Sequence, residues 1–398
     1  MQFGTDVAII VVAAGRGSRA GSGLPKQYRY LAGRPLLSHT LDALIRAVPG
    51  AKLLPVIHMD DLALFNSSLA DFTVQQRKAI SKPVFGGDSR QESVLAGLEA
   101  LALDNNLKIV LIHDAARLFV SDTLVDRAVA AAIAHGAAVP GVLPTDTVKE
   151  IDEEGLVLAT PPRSRLRAVQ TPQAFRFELI LAAHRSAAKS GACDLTDDAA
   201  VAEWAGHPVH VFPGDDANMK ITTSADLHVA EARLIRELAD VRIGQGYDVH
   251  AFGPGDHVWL GGLKIAHDHG LVGHSDADVL SHAITDALLG ALAEGDIGSH
   301  FPPSDPQWRG AASRIFLAAA AAKVRARGGM IAHIDATLAC ERPKIGPHRD
   351  AIRASIAEIV EIQIDRVAIK ATTTERLGFT GREEGMASLA IATVRLPL

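Results

Sequence analysis

Short apolar runs rich in Val and Ile alternate with longer amphipathic stretches through the first 240 residues. The runs at 7–14, 53–57, 108–113 and 209–212 predict strands, and 89–102, 123–134 and 177–189 predict helices. Strands that alternate with helical patterns imply a mostly parallel, Rossmann-like α/β sheet covered by helices on both faces. The stretch 144–160 breaks that rhythm. There, 146–151, a turn at 152–155 and 156–160 predict a hairpin arm projecting from the sheet. A helix over 224–239 closes this part, with Ser224 as its N-cap and Leu227, Leu234 and Leu238 among its apolar positions. A strand over 241–249 follows at once. The boundary is therefore placed at Asp240, separating domains 1–239 and 240–398 with almost no linker. The second part predicts helices over 276–293, 312–327 and 347–362 and further strands over 333–340, 366–372 and 386–396. That is a small α+β sandwich with its helices on one face, and no repeat relates it to the first part.

Composition narrows the function classes. The 398 residues are 48% hydrophobic and 22% charged, as in ordinary globular domains. Lys+Arg 40 against Asp+Glu 46 leaves a net charge of −6, so neither nucleic acid nor an anionic membrane is an expected partner. Any phosphate must be gripped by a few placed cations. Two cysteines, Cys193 and Cys340, cannot build a disulfide framework or a Cys-rich zinc site. No apolar run approaches the ~20 residues that cross a bilayer. The run 7–14 has no Lys or Arg before it and a Gly-rich loop after it, so it reads as a buried strand rather than a signal segment, and a cytoplasmic location is expected.

Two places carry candidate chemistry. The first strand runs into Gly15-Arg16-Gly17-Ser18-Arg19, followed by Pro25-Lys26-Gln27. A glycine turn after a first parallel strand lets backbone N–H groups approach phosphate oxygens. It is neither the dinucleotide fingerprint, whose third glycine is here Ala20, nor a Walker loop, since no G-K-[ST] follows. Two cations, Arg19 and Lys26, in one short loop suit a triphosphate, because phosphoryl-type transfer is catalysed largely by charge stabilisation. His113-Asp114-Ala115-Ala116-Arg117 stands at the carboxyl end of a strand, where open α/β sheets bind ligands. Asp114 there can hold Mg²⁺, and Arg117 can fork onto a phosphate, although a helix cap with a surface Arg explains the same residues.

Together A-A-G-x-G-x-R, P-K-Q, G-G-x-x-R-x-x-S at 86–93, H-D-A-A-R and T-P-Q at 171–173 resemble the cytidylyltransferase of the methylerythritol phosphate isoprenoid pathway, over nearly all of 5–238. The resemblance implies that Arg19 and Lys26 stabilise the transition state as methylerythritol phosphate attacks the α-phosphate of CTP. It implies Ala14, Gly15, Gly87, Asp88, Ser93, Asp114 and Ala115 around the nucleotide, with Mg²⁺ or Mn²⁺ on Asp114, and Arg117, Thr147, Arg163 and Lys220 on the sugar phosphate. Two departures are Leu118, where the family has Pro, and Arg167, where it has Trp.

The second place lies in a stretch holding seven of the 17 histidines, 250–300. In Asp248-Val249-His250 a spacing of two on a strand puts both side chains on one face. His282 lies on the predicted helix 276–293, rotated about 200° from Leu280 and so on the side away from its apolar stripe. Two imidazoles, one carboxylate and an open position are the pattern of catalytic zinc. Alone, a D-x-H or a helix His is usually structural, and His257, His267 and His269 read as surface residues.

The surrounding G-x-G-Y-D-V-H at 244–250, H-S-D-A-D at 274–278, G-D-I-G at 295–298 and K-A-T-T-T-E-R-L-G-F-T-G-R at 370–382 resemble methylerythritol cyclodiphosphate synthase over 241–398. The resemblance implies Asp248, His250 and His282 as zinc ligands and Glu375 on a magnesium-like ion. It implies His274, Ser275, Asp296, Gly298, Phe379 and Arg382 on the substrate. Pro343, Lys344 and Ile345 would line the cytidine pocket, with Thr372 and Thr373 at the α-phosphate and Thr373 taking part in catalysis. Pro303 departs from the usual Asp. Both resemblances in one chain imply a bifunctional enzyme whose partners are CTP, methylerythritol phosphate and its cytidyl diphosphate derivative. They also imply a homo-oligomer. Such transferases are dimers with exchanged arms and such cyclases are trimers with sites between subunits, so six chains satisfy both. A transferase for another polyol phosphate, or a half that has lost activity and serves as a scaffold, stays open as an alternative.

Overall fold

The computed structural model describes residues 6–16, 24–104, 106–193 and 195–398. The chain divides into two compact units, 1–230 and 231–398.

The first unit is built on strands β1 (Val7–Ala13), β2 (Lys52–Ile57), β3 (Val84–Phe85), β4 (Ile109–Asp114), β5 (Ala137–Val142), β6 (Ala168–Val169), β7 (Gln173–Arg176) and β8 (His210–Pro213). β1 pairs in parallel with both β2 and β4, β2 with β3, and β8 with β5. β7 runs antiparallel between β4 and β5, and β6 is antiparallel to β5. The sheet is mostly parallel, as the alternation predicts. Helices α1 (Leu36–Ala47) and α3 (Asp122–His135) cover one face, and α2 (Arg90–Leu101), α4 (Phe177–Ser190) and α5 (Asp198–Trp204) the other. Ile9 and Val11 face one core and Ala8 and Ile10 the other, which is why this strand is apolar without alternation. The projecting arm is slighter than predicted. Only Glu150–Ile151 and Val157–Ala159 pair, and Ile151, Val157 and Leu158 are exposed, with no apolar face to extend the ladder. Helix α6 (Ser224–Glu237) follows, and the next strand begins at Asp240.

The second unit carries a five-stranded sheet of β9 (Asp240–Gly253), β10 (Gly270–Leu271), β11 (Met330–Ala339), β12 (Val367–Thr372) and β13 (Gly385–Leu396), in the order β10-β9-β13-β11-β12. Helices α7 (Val279–Ala291), α8 (Arg314–Ala326) and α9 (Arg349–Val360) pack with it into a single core. α7 lies flat on β9 because Gly244 and Gly246 offer no side chain there. A Cβ on either would come within 2.0 Å of a backbone carbonyl oxygen of the helix. The opposite face of the sheet leaves Ile243, Tyr247, Leu389 and Ile391 exposed within this chain.

Candidate active sites

In the first unit, one cavity of about 300 Å³ opens at the carboxyl ends of β1 and β4. Ala14, Gly15, Lys26, Gly87, Asp88, Ser93, Asp114, Ala115 and Lys220 all line it, although more than 200 positions separate the first from the last. Arg19 lies outside the described residues. Asp114 is buried, and its carboxylate meets Lys220 Nζ at 2.7 Å and Arg90 Nε at 3.4 Å. Burial alone would raise the Asp114 carboxyl; Arg90, then Lys220 and Arg117, hold it well below the usual carboxylate range. Lys26 donates to the Ile221 carbonyl at 2.5 Å, which ties it to the residue next to Lys220, whose own Nζ meets Asp114. Gln27 fixes the turn after β1 by donating to the Ala13 and Gly15 carbonyls.

Arg90 is a site residue that the sequence reading missed, although it is the Arg of G-G-x-x-R-x-x-S. Behind Asp114 it also donates to Asp198 Oδ2 at 2.8 Å. Asp198 is fully buried, with its other oxygen 3.2 Å from the ring of fully buried His184, in a contact not aligned as a hydrogen bond. Arg117 turns away from this cluster, spending its guanidinium on the Asn218 carbonyl at 2.8 Å, and does not line the cavity. Thr147 and Arg163 stand exposed at the arm, where Arg163 donates to the Thr145 carbonyl at 3.1 Å, and they do not line it either.

In the second unit, Asp248, His250 and His282 converge, each offering one ligand atom and all three atoms within 4.8 Å of one another. His282 does not point to solvent as an exposed helix position would. α7 is buried on nearly every side, and His282 is mostly buried against β9. The hydrogen bonds set which nitrogen each ring presents. His250 Nδ1–H donates to the Val272 carbonyl at 2.8 Å, leaving Nε2 toward Asp248 Oδ2 at 3.1 Å. Ser313 Oγ–H donates to Asp276, so its oxygen accepts His282 Nε2–H at 2.8 Å, and His282 turns Nδ1 to Asp248 Oδ2 at 3.0 Å. Two ring nitrogens and one carboxylate oxygen thus face a common point, a donor set that fits zinc. Burial would raise the Asp248 carboxyl, but hydrogen bonds from His250 and His282 hold it well below the usual range. Burial would lower the His250 pKa, and the hydrogen bond and charge of Asp248 more than reverse it.

Buried Asp278 holds the start of α7, accepting from Ser281 N and Oγ and from the backbone nitrogens of Gly261 and Gly262. Asp276, Asp278 and Ser313 were not singled out from the sequence; the carboxylates of H-S-D-A-D at helix-capping spacing were the available signal. Of the remaining predicted residues, Ser275 reaches His282 Nε2 at 3.1 Å, while His274 is exposed. Asp296 caps the short helix Ile297–His300 that contains Gly298. Thr372 ends β12, and Thr373, Glu375, Phe379 and Arg382 lie past it. Thr373 Oγ1 donates to Glu375 Oε1 at 2.8 Å, and Arg382 forks onto Glu384. The loop of Pro343, Lys344 and Ile345 is tied to that segment through Glu341, which accepts from the backbone nitrogens of Thr374 and Arg376. Across the sheet Asp248 pairs with Ser388, Ser388 with Leu338 and Leu338 with Ala371. Three strand spacings, about 14 Å, therefore separate the trio from this loop pair within one chain.

Residues 7–236 match the family described as 2-C-methyl-D-erythritol 4-phosphate cytidylyltransferase, and 241–395 match the YgbB family. The bifunctional enzyme IspD/IspF of Rhodopseudomonas palustris strain HaA2 is 58% identical over 100% of this chain and 97% of its own length. The chain belongs to the bifunctional IspD/IspF family. The bifunctional enzyme IspD/IspF of Nitrobacter hamburgensis is also 58% identical, over 98% of this chain and 95% of its own. The crystal structure of 4-diphosphocytidyl-2C-methyl-D-erythritol synthase from Anaerococcus prevotii covers 58% of this chain and 96% of its own, at 31% identity and a TM-score of 0.50. As an IspD/IspF enzyme the chain carries a cytidylyltransferase and a cyclodiphosphate synthase of isoprenoid-precursor synthesis. Among the described residues no helix is long and apolar enough to cross a membrane.

Proposed function

We propose that residues 1–239 transfer CMP from CTP to 2-C-methyl-D-erythritol 4-phosphate, and that residues 240–398 cyclise the 2-phosphorylated cytidyl diphosphate product. The observation that carries the first reading is the single cavity gathering Gly15, Lys26, Asp114 and Lys220. In it a phosphate oxygen of the sugar attacks the α-phosphorus of CTP and pyrophosphate leaves. Lys26, with Arg19, neutralises charge on the reacting phosphates. Asp114 would hold the magnesium ion of the nucleotide, which would supply charge neutralisation, and Lys220 binds the sugar phosphate.

In the cyclase the substrate's own 2-phosphate attacks its β-phosphorus, CMP leaves and an eight-membered cyclic diphosphate forms. Asp248, His250 and His282 would hold zinc, which supplies Lewis-acid polarisation of the diphosphate, and Glu375 a magnesium ion. Ser275 and His274 grip the remote phosphate, Asp296 and Gly298 the polyol, and Pro343–Ile345 the cytosine. Ser313 and Asp276 keep His282 in its ligating tautomer. The product of the first reaction lacks the phosphate that starts the second, so a separate kinase step lies between them.

The exposed apolar sheet face and the 14 Å between trio and cytidine loop support cyclase sites completed by a neighbouring copy. Paired arms add a two-fold, and six chains close both symmetries. Light scattering after size exclusion tests this: six chains support it, and an active monomeric cyclase refutes it. The chemistry is tested on the purified chain by CTP turnover with methylerythritol, erythritol and ribitol phosphates, and by CMP release from the cyclase substrate. Preference for ribitol phosphate would make the first half a different transferase, and no CMP release would make the second a scaffold. Fractionation of cells tests a cytoplasmic location.

A further inference from the structure

We propose a second transition-metal site on the cyclase unit, formed by His267, Asp268 and His269 and separate from the trio of Asp248, His250 and His282. In the sequence these histidines read as surface residues. In the fold both rings turn the same nitrogen, Nδ1, onto the same carboxylate oxygen, Asp268 Oδ1, each at 3.1 Å. One ligand atom from each of the three residues lies within 4.8 Å of the others. Zinc bonds to nitrogen and oxygen of about 2.0–2.2 Å place neighbouring ligand atoms roughly 3.0–3.5 Å apart, and both nitrogen–oxygen separations already have that spacing. Two imidazoles and a carboxylate suit Zn²⁺, Ni²⁺ or Cu²⁺ rather than Mg²⁺ or Ca²⁺.

Surface His–Asp pairs are common, but this group is held in place. The His267 side chain is only 9% exposed, its ring tilts against Phe252 at 5.1 Å, and its backbone nitrogen donates to the Asp256 carbonyl at 3.1 Å. His269 stands 5.9 Å from the same phenyl ring. The next two residues, Gly270–Leu271, pair with Phe252–Gly253, so the segment is anchored on its carboxyl side as well. His257 is engaged elsewhere, on Asp256 at 2.5 Å. Asp268 and His269 remain open to solvent, which gives a dication access and leaves water in its other positions. Without metal, each Nδ1–H can donate to the carboxylate. On binding, the rings carry their protons on Nε2, the metal takes both Nδ1 lone pairs and one carboxylate oxygen, and neutral rings release no proton. The segment so braced continues to Val272, whose carbonyl orients His250.

The test uses the full chain, stripped by chelator and dialysed against rising Zn²⁺, with metal counted per chain. His282→Ala is expected to keep one equivalent, and adding His269→Ala or Asp268→Asn to that variant is expected to weaken its binding at least tenfold. Because both of these side chains are exposed, neither substitution disturbs the core, and circular dichroism checks this. His269→Ala alone is expected to retain the equivalent held by Asp248, His250 and His282. If His282→Ala binds no zinc below millimolar concentration, or if adding His269→Ala and Asp268→Asn leaves its binding unchanged, the proposed site does not exist.

Discussion

Gly246 lies beneath Ala283 so closely that a Cβ on the strand would stand 1.9 Å from the carbonyl oxygen of the helix residue. That approach sets the distance between β9, which carries Asp248 and His250, and α7, which carries His282. Gly246→Ala must push the helix outward, at a cost on the order of 1–3 kcal/mol or more. The expected result is a lower melting temperature for the cyclase unit and loss of bound zinc and CMP release, with CTP turnover retained. Wild-type zinc content in this variant would show that the helix has room to give.

Lys26→Ala should slow pyrophosphate release from CTP by roughly 100-fold or more, since one oriented charge on a transition state is worth about 3–4 kcal/mol. CMP release by the cyclase should not change. A loss of less than about threefold would mean that Lys26 serves only its bond to the Ile221 carbonyl.

Asp198 should act on the transferase through Arg90, which it holds against Asp114. Asp198→Ala leaves Arg90 and His184 without their buried carboxylate and is expected to cost about 3–5 kcal/mol of stability. Asp198→Asn keeps the shape and should raise the magnesium concentration needed for half-maximal CTP turnover more than it changes the saturated rate. An unchanged magnesium requirement would make the pair a purely structural one.

Ser313→Ala should weaken zinc binding by about 10–100-fold, the usual cost of losing an outer partner of a histidine ligand. Ser313→Thr, which keeps the hydroxyl, should restore part of it. Competition with a chromophoric chelator measures both without reference to turnover.

The stability of the first unit should fall in acid through His113, which is fully buried between the Arg117 carbonyl and the Thr171 hydroxyl. Burial pushes its pKa down to about 4, against 6.5 in the unfolded chain. The folded state keeps the ring neutral while the unfolded state takes up a proton below pH 6.5. Stability is therefore full above 6.5 and is lost as pH falls toward 4, by up to about 1.4 kcal/mol per pH unit from this residue. Denaturation of metal-free protein, followed by Trp204 fluorescence with Trp259 and Trp308 changed to Phe, should show a slope that His113→Gln reduces. Equal slopes would assign the acid sensitivity to other groups.

Of the eight strands of the first unit's sheet, β1, β2 and β4 were legible because each carries an unbroken apolar run, and β8 was named as well. β3, β5, β6 and β7 were not, three of them being only two to four residues long. Asp248 and His250 were legible because a period of two needs no tertiary information. The cation loop was legible by composition, although Arg19 falls outside the described residues. What could not be read is what folding brings together. Arg90, Asp198 and His184 occupy three helices, or the turns beside them, that meet only behind Asp114. Ser313 looks like any helix-start serine until Asp276 accepts its hydrogen bond. His282 was expected on an exposed side because a period of 3.6 describes one helix face against one neighbour, whereas α7 is enclosed by β9, β13 and α8. His267 and His269 passed as solvated residues because only the packing of Phe252 buries one of them.

The passage from α6 straight into β9 leaves two residues, Leu238 and Ala239, between helix and strand. A cell making this chain therefore makes both catalysts in equal numbers and cannot adjust one against the other by expression. Control over how fast intermediate accumulates falls to the turnover of each site and to whatever enzyme phosphorylates the intermediate. A slow cyclase could not be offset by making more of it without also raising the supply of the compound it consumes.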